Sequence, residues 1–230
     1  MRAKEAIFSA ETFRFFRDLR KNNSKAWMDE NRDRYKQHVV MPFRRLLDAL
    51  APGVRKLHPE FCISGRTGES FSRINRDIRF ANDKTPYRPQ MYLFFSRLQA
   101  QGRTAGQLYI GISAEAVTVG FRMYYESRQS AMASVCVPRA IENLGWLDRQ
   151  RKKFAGKYDS YWYASEKGAW TKHSGWPCDA REWKKAKGWI VRRKLRPSAA
   201  LRPACPREIE KTFRELFPLY SFSCLQKWKS

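Results

Sequence analysis

Five cations and two carboxylates lie within eighteen positions of the chain, between Phe71 and Arg88. A guanidinium group binds phosphate or carboxylate as a bidentate fork, and a lysine adds a point charge. Five cations against two acids leave a surplus of three positive charges, so the spacing predicts an anion-binding site. We expect this site to be formed by Arg76, Arg79, Lys84, Tyr87 and Arg88, with Arg73, Asp77 and Asp83 as a supporting network.

An internal salt-bridge network is the alternative interpretation of the same residues. In it, the acids neutralise neighbouring cations and the cluster only fastens a loop to the sheet. The protein would then be a structural or interaction protein whose charge cluster stabilises the fold. We assign Arg73 and Asp77 to such a network. Both interpretations stay open for Arg76, Arg79 and Lys84.

The backbone of this segment is predicted to be extended over Phe71–Phe80, which would place alternate side chains on opposite faces. One face would carry Ile74, Arg76, Ile78 and Phe80, and the other Arg73, Asn75, Asp77 and Arg79. An arginine between two isoleucines is partly removed from water, so it needs a carboxylate or a bound anion. Thr85-Pro86-Tyr87 predicts an extended turn, because the residue before a proline avoids the helical region.

An enzyme acting on a small phosphorylated or carboxylated substrate is a second functional hypothesis. Arg79 and Lys84 would then clamp the substrate oxygens in a pocket that Arg76 and Tyr87 also line. The two acids of the cluster have arginine neighbours that keep them ionised, which disfavours acid catalysis. The histidines are isolated and no paired-cysteine spacing is present, so we predict no metal site and no cofactor.

The formal net charge of +24 at pH 7 is the most unusual bulk property of the chain. Such a field attracts polyanions, so nucleic acid or another phosphate-bearing ligand is the expected partner. No segment reaches the roughly 18 uninterrupted apolar residues of a membrane helix, so no membrane partner is expected. The scattered cysteines and the lack of an apolar signal segment predict free thiols and a cytoplasmic protein.

Six of the eight tryptophans lie between Trp146 and Trp189, within a basic segment of about residues 146–200. Exposed rings among cations are typical of surfaces that bind single strands, since bases stack on the rings and phosphates contact the cations. Tryptophans are also mostly buried in folded proteins, where they fill the core. Both interpretations of this segment stay open.

The N-terminal part of the chain is predicted to be helical. Apolar residues recur at helical spacing after Ser9 and again from Lys25 toward Leu50. Pro42 should kink the second helix or start a new one, because its ring is incompatible with a regular helix interior. Ala51-Pro52-Gly53 is predicted to lie near the end of that helix.

The rest of the chain changes from strand to helix periodicity. Helices are expected after Pro138 and from Pro206, and residues 150–200 are expected to be irregular. No linker composition interrupts the sequence, so residues 1–230 are predicted to form a single α+β domain, with N-terminal helices, a central antiparallel meander sheet and C-terminal helices. Alternating apolar residues predict the strands of that meander over residues 91–96, 108–112 and 117–121.

The run from Arg76 to Tyr87 reads RDIRFANDKTPY. It resembles the hallmark R-D-x-R-F-x-x-D-K-x-P-Y of an uncharacterised family of conserved hypothetical proteins, domain of unknown function 2461. The resemblance covers about residues 8–125 and implies an α+β fold and a bacterial-type cytoplasmic protein, with no substrate, cofactor or reaction. Further similar positions are Phe16, Leu19, Asn22, Asn23, Lys25, Trp27, Asn31, Tyr35, residues 109–113 and Gly120.

Overall fold

Amphipathic helices form the N-terminal part of the described chain, as the spacing of its apolar residues predicts. The structure is a computed structural model that describes residues 5–79, 81–97, 106–124, 132–166 and 169–228. Helix α1 (Ala10–Lys21) directly follows Ser9. Its apolar stripe is withdrawn from solvent and consists of Phe13, Phe15, Phe16 and Leu19.

The single long helix predicted from Lys25 is divided in two. Helix α2 (Lys25–Glu30) ends at Asn31, whose φ of −102° and ψ of 14° leave the helical region. Helix α3 (Arg32–Tyr35) then runs through a π-helical turn (Lys36–Val40) into helix α4 (Met41–Leu57). The backbone stays helical at both junctions, so these three pieces form one continuous helix.

The π-helical turn accommodates Pro42 without ending the helix. A proline has no N–H to donate, and its ring clashes with the carbonyl four residues earlier, which here belongs to His38. A π-helical turn shifts the backbone around such a position. The buried hydroxyl of Thr12 donates to the His38 carbonyl at 2.7 Å, so this carbonyl keeps a partner.

Helix α4 also continues past Pro52, where the sequence predicts its end. Leu50 and Val54 are fully buried on either side of this proline. Pro52 cannot donate a backbone hydrogen bond, but burial of the apolar face contributes most of the stability of a helix in a folded protein. The helix therefore ends only at Leu57.

The structure has helices at its N-terminal and C-terminal ends and a central antiparallel sheet of six strands, which confirms the α+β prediction. The three predicted strands are present as β1 (Gln90–Phe95), β2 (Gln107–Ser113) and β3 (Val117–Tyr124). They are sheet neighbours in chain order, so the meander is confirmed.

The prediction that residues 150–200 are irregular is wrong. This segment forms β4 (Asp159–Glu166), β5 (Ala169–Ser174) and β6 (Ala186–Leu195), and the strand order of the sheet is β1-β2-β3-β6-β4-β5. Both faces of β4 carry aromatic residues, so the strand lacks the polar and apolar alternation that identifies a half-buried strand. Its antiparallel pairing with β5 and β6 is decided by tertiary structure.

Helices follow the meander as predicted. Helix α5 (Val137–Glu142) has Pro138 in its first turn and is preceded by a π-helical turn (Met132–Cys136). The other helices are α6 (Leu144–Phe154), α7 (Ala180–Lys185) and α8 (Cys205–Cys224), with a 3₁₀ turn at Pro197–Ala199. In the described part of the chain, no helix is both long and apolar enough to cross a membrane.

Residue contacts divide the chain into two compact units. The first comprises Met1–Phe95, Ile110–Thr118 and Leu195–Lys211. The second comprises Ser96–Tyr109, Val119–Lys194 and Thr212–Ser230. That residues 1–230 act as a single domain stays a prediction.

Candidate anion-binding site

The segment of residues 71–88 belongs to the first compact unit, and hydrogen bonds join its start to β1. Ser72 and Tyr92 exchange two bonds: the Ser72 N–H donates to the Tyr92 carbonyl at 3.0 Å, and the Tyr92 N–H donates to the Ser72 hydroxyl at 2.9 Å. The chain then folds back on itself. The Arg88 N–H donates to the Ile74 carbonyl, and the Arg76 N–H to the Pro86 carbonyl, both at 2.8 Å.

Side chains between Phe71 and Arg79 alternate between buried and exposed positions, as predicted for an extended backbone. Ile74 is buried, and Arg76 and Ile78 are half-buried. The intervening residues Arg73, Asn75, Asp77 and Arg79 are exposed. Phe80, predicted to continue the inward face, lies outside the described residues.

Asn23 fixes the far end of this segment with its side-chain amide. Its Nδ2 donates to the Tyr87 carbonyl at 2.9 Å, and its Oδ1 accepts from the Tyr87 N–H at 3.0 Å. The amide thus satisfies both backbone groups of a residue that is 64 positions away and whose side chain is buried. The loop between α1 and α2 thereby determines where the backbone of residues 86–88 lies.

Replacing Asn23 with alanine is expected to lower the free energy of unfolding by about 1–3 kcal/mol, because the partly buried N–H and carbonyl of Tyr87 both lose their partner. Urea denaturation monitored by circular dichroism measures this change. Asn22 is a matched control, since its side chain is exposed and bonds only to the Asp18 carbonyl within α1. An Asn22→Ala variant that is destabilised as strongly as Asn23→Ala would contradict the role of the clamp.

Arg76, which points inward, is neutralised within the protein. Its guanidinium forms an ion pair with Asp83 and donates to the Thr85 hydroxyl at 2.5 Å. Asp83 also accepts from the Thr85 backbone N–H at 2.9 Å and from the Thr85 hydroxyl at 2.8 Å. The Thr85 backbone bond, followed by the Arg76 bond, lowers the pKa of Asp83 to about 2. Asp83 is therefore ionised at neutral pH and holds the turn at residues 83–85 through its bonds to Thr85 and Arg76.

Two further predicted anion ligands also have internal partners. Arg79 forms a bidentate pair with Asp77, with donor to acceptor distances of 3.0 and 2.7 Å, which lowers the pKa of Asp77. The Lys84 ammonium donates to the Ile78 carbonyl at 3.1 Å. A substrate clamp made of Arg79 and Lys84 would have to displace these bonds, so the geometry does not favour the enzyme hypothesis. Among the described residues, no group of three or more potential metal ligands is present.

Arg73 and Arg88 differ from the other cations of the segment. Both side chains are exposed, and neither makes an ion pair or side-chain hydrogen bond with the residues that the structure describes. The two residues are close in the backbone, because the Arg88 N–H donates to the carbonyl of Ile74, the residue that follows Arg73. Arg73 and Arg88 therefore carry positive charge without a described internal partner. The assignments of Arg88 to an anion-binding site and of Arg73 to a supporting network stay predictions.

A second group of cations lies beside Tyr87 and was not predicted from the sequence. Lys25 and Arg32 both contact Asp29 at 2.6 Å, which lowers the pKa of that carboxyl group. The hydrogen bond to Asp29 is the main reason why the pKa values of Lys25 and Arg32 are raised, and the neighbouring Tyr87 is a minor cause in both. The four-residue and three-residue spacings of Lys25, Asp29 and Arg32 signal their ion pairs, but not their proximity to Tyr87.

Four of the six tryptophans between residues 146 and 200 are buried in the core, as one of the two interpretations of this segment expects for them. Trp170 is the exposed exception, with 49% of its surface accessible, and Trp146 is half-buried. The tyrosines of the same segment, which were not predicted as candidates from the sequence, are more accessible than most of its tryptophans. The buried tryptophans are Trp162, Trp176, Trp183 and Trp189.

Comparison with protein families extends the resemblance that the motifs indicate. Those motifs end near residue 125, but the family model described as conserved hypothetical protein (DUF2461) matches residues 11–222. The match therefore includes the basic segment of residues 146–200 and helices α5, α6 and α7. A search of curated proteins finds no match. Because the family model covers most of its length, the chain belongs to the conserved hypothetical protein family DUF2461.

Proposed function

We propose that this protein binds phosphate-bearing polyanions, with nucleic acid as the principal partner, and that Arg73 and Arg88 contact phosphate groups directly. The observation that carries the proposal is the exposure of these two guanidinium groups without an ion-pair partner among the described residues. Exposed guanidinium groups with all five donors available suit bidentate contacts to phosphate oxygens.

The electrostatic surroundings support the same proposal. Lys25 and Arg32 share a single carboxylate, that of Asp29, so this group keeps one uncompensated positive charge. The whole chain carries a formal net charge of +24. A field of this kind raises the association rate with polyanions, and phosphate contacts then supply affinity without sequence preference.

The internal pairs of the cluster would act as a rigid support in this function. Arg76 and Asp83 hold the turn that leads to Tyr87, and Asn23 fixes the Tyr87 backbone. A contact surface built on a backbone that is already ordered loses less conformational entropy on binding. Arg88 follows directly after this anchored residue.

Salt dependence of binding tests the proposal. Fluorescein-labelled single-stranded and duplex DNA would be titrated with the protein while anisotropy is recorded between about 50 and 200 mM salt. The logarithm of the affinity should fall linearly with the logarithm of salt, with a slope of about −0.9 per duplex phosphate contacted. The double variant Arg73→Gln/Arg88→Gln should make the slope shallower by about 2, because each substitution removes about one phosphate contact.

The double variant Lys36→Gln/Arg202→Gln is the charge-matched control. Both residues are exposed and each has one acidic partner, Asp33 and Glu208 respectively. This control lowers the net charge by the same amount and should retain the wild-type slope. An equally shallow salt slope in both double variants would show that only the net charge matters. Absence of DNA binding by the wild-type protein at low salt would refute the proposed function itself.

A further inference from the structure

We infer that one face of the second compact unit binds single-stranded nucleic acid by stacking bases on its aromatic rings. The aromatic sheet face consists of Tyr124 on β3, Tyr161 and Tyr163 on β4, Trp170 and Lys172 on β5, and Arg192 on β6. The inference shares with the proposed function only the premise that the partner carries phosphates, and it depends on different residues.

Strand alternation separates this face from the core. Trp162 and Ala164 on β4 are buried, and the intervening Tyr161 and Tyr163 are only half-buried. The register pairs Tyr163 with Lys172 of β5 and with Gly188 of β6, so these residues share the face. Two sets of aromatic residues therefore point in opposite directions, and only one of them fills the interior.

The rings of the aromatic sheet face lie close to one another. The Tyr163 centroid is 5.7 Å from that of Tyr161 and 5.7 Å from that of Trp170, and Trp170 is 6.2 Å from Tyr124. Gly188 allows this approach, because a Cβ atom there would lie 2.8 Å from the Tyr124 ring and 3.3 Å from the Tyr163 ring. A glycine in the interior of a strand often marks such a close approach.

Cations lie directly beside these rings. The Lys172 ammonium is 4.3 Å from the Tyr161 ring centroid, and the Arg192 guanidinium carbon is 5.0 Å from it. Lys194 is exposed two residues further along β6, and the described acid in register with Arg192 is Asp159. The exposed Lys172 and Lys194 give the face positive charge that complements a phosphate backbone.

The combination of rings and cations selects single strands over duplexes. In a duplex the bases are stacked on one another, so their faces are not available to protein side chains. In a single strand, each base can stack on an aromatic ring while the adjacent phosphates contact lysine and arginine, with little sequence preference. A four-stranded sheet that presents aromatic residues to two or three bases is an established solution to this recognition problem.

Three fluorescein-labelled probes of equal length, about twelve nucleotides, distinguish stacking from phosphate binding. They are oligo-dT, an abasic single strand with the same phosphates, and a duplex. Wild-type protein should bind oligo-dT at least about tenfold more tightly than the abasic strand. Trp170→Leu and Tyr163→Leu should each weaken oligo-dT binding about tenfold and leave abasic binding unchanged, because only the ring is lost.

Matched aromatic variants separate stacking from damage to the fold. Trp170→Phe and Tyr163→Phe keep a ring and should bind oligo-dT within about twofold of wild type. Trp170 is 49% exposed, so its leucine variant should keep the wild-type melting temperature. Arg73→Gln/Arg88→Gln, by contrast, should weaken binding of the abasic strand and of the duplex, which offer phosphates but no free base faces.

Several results would overturn the inference. One is equal wild-type affinity for oligo-dT and the abasic strand, which would leave the proposed phosphate binding intact. Another is unchanged oligo-dT binding in a folded Trp170→Leu variant. A third is a wild-type dimer, detected by sedimentation, that dissociates in the Trp170→Leu variant but not when oligo-dT is added. The aromatic sheet face would then be covered by a second copy of the chain.

Discussion

Replacing Gly120 with alanine is expected to lower the free energy of unfolding by at least about 3 kcal/mol. Gly120 lies in β3, where a Cβ atom would be 2.7 Å from the Arg192 Cβ and 2.8 Å from the Arg192 Cα, and closer still to the Val191 carbonyl oxygen. These are backbone atoms or atoms attached directly to the backbone of β6, so no side-chain rotation relieves the overlap. The two strands must separate locally.

Urea denaturation would measure this loss, and Gly120→Val should be more destabilised still. Gly145→Ala is the matched control, since Gly145 is exposed near the start of α6 and the nearest atom to its Cβ is the Arg149 guanidinium at 3.9 Å. Alanine should stabilise this helix by up to about 1 kcal/mol, because it restricts the unfolded chain. A Gly120→Ala midpoint equal to wild type would show that β3 and β6 are not in contact here.

The same substitution should also affect the aromatic sheet face. Gly120 lies on β3 four residues before Tyr124, and its close neighbour is Arg192 of β6. Displacing β3 from β6 would alter the spacing between Tyr124 and the rest of the face. Loss of oligo-dT binding in Gly120→Ala would thus reflect altered sheet geometry, which is why Trp170→Leu is the sharper test of stacking.

Truncation of Trp189 to alanine is expected to cost about 3–5 kcal/mol, the range for removing a buried large aromatic side chain. Trp189 is fully buried, and its ring is 4.7 Å from that of Trp176, 5.2 Å from that of Trp183 and 5.5 Å from that of Phe121. Alanine would leave a cavity among rigid rings that cannot collapse into it. Thermal and urea denaturation measure the loss.

Phenylalanine at the same position separates packing from hydrogen bonding. The indole N–H of Trp189 has no acceptor among the described residues, so Trp189→Phe removes no hydrogen bond. It should cost less than half as much as Trp189→Ala, because most of the ring contacts remain. Trp170→Ala should change stability by no more than about 0.5 kcal/mol, since Trp170 is half exposed. Equal losses for Trp189→Phe and Trp189→Ala would contradict the packing argument.

The internal pairing of Arg76, Arg79 and Lys84 changes the significance of the hallmark segment. A row of cations in a sequence suggests a ligand, but here two carboxylates pair with Arg76 and Arg79, and a backbone carbonyl accepts a hydrogen bond from Lys84. Each partner lies within seven positions of its cation. These pairs lie within the segment itself, so they leave Arg76, Arg79 and Lys84 with internal partners. Its two exposed arginines without a described ion-pair partner, Arg73 and Arg88, therefore carry the functional proposal.

Local periodicity was sufficient to predict much of this protein. The stripe of α1, the β1-β2-β3 meander and the alternation between Ile74 and Arg79 are each visible within a few successive residues. Such patterns are set by helix and strand geometry, which repeats every few residues. The α+β class followed from the order of these patterns along the chain.

Tertiary structure alone decided which side chains meet. Asn23 bonds to Tyr87, 64 positions away. The Thr12 hydroxyl donates to the carbonyl of His38, 26 positions away, to which Pro42 has no N–H to donate. The aromatic sheet face arises because the register of β4 against β5 and β6 brings Tyr163 beside Lys172 and Gly188. Pairings of this kind depend on loop closure and strand register, and no short stretch of sequence specifies either of them.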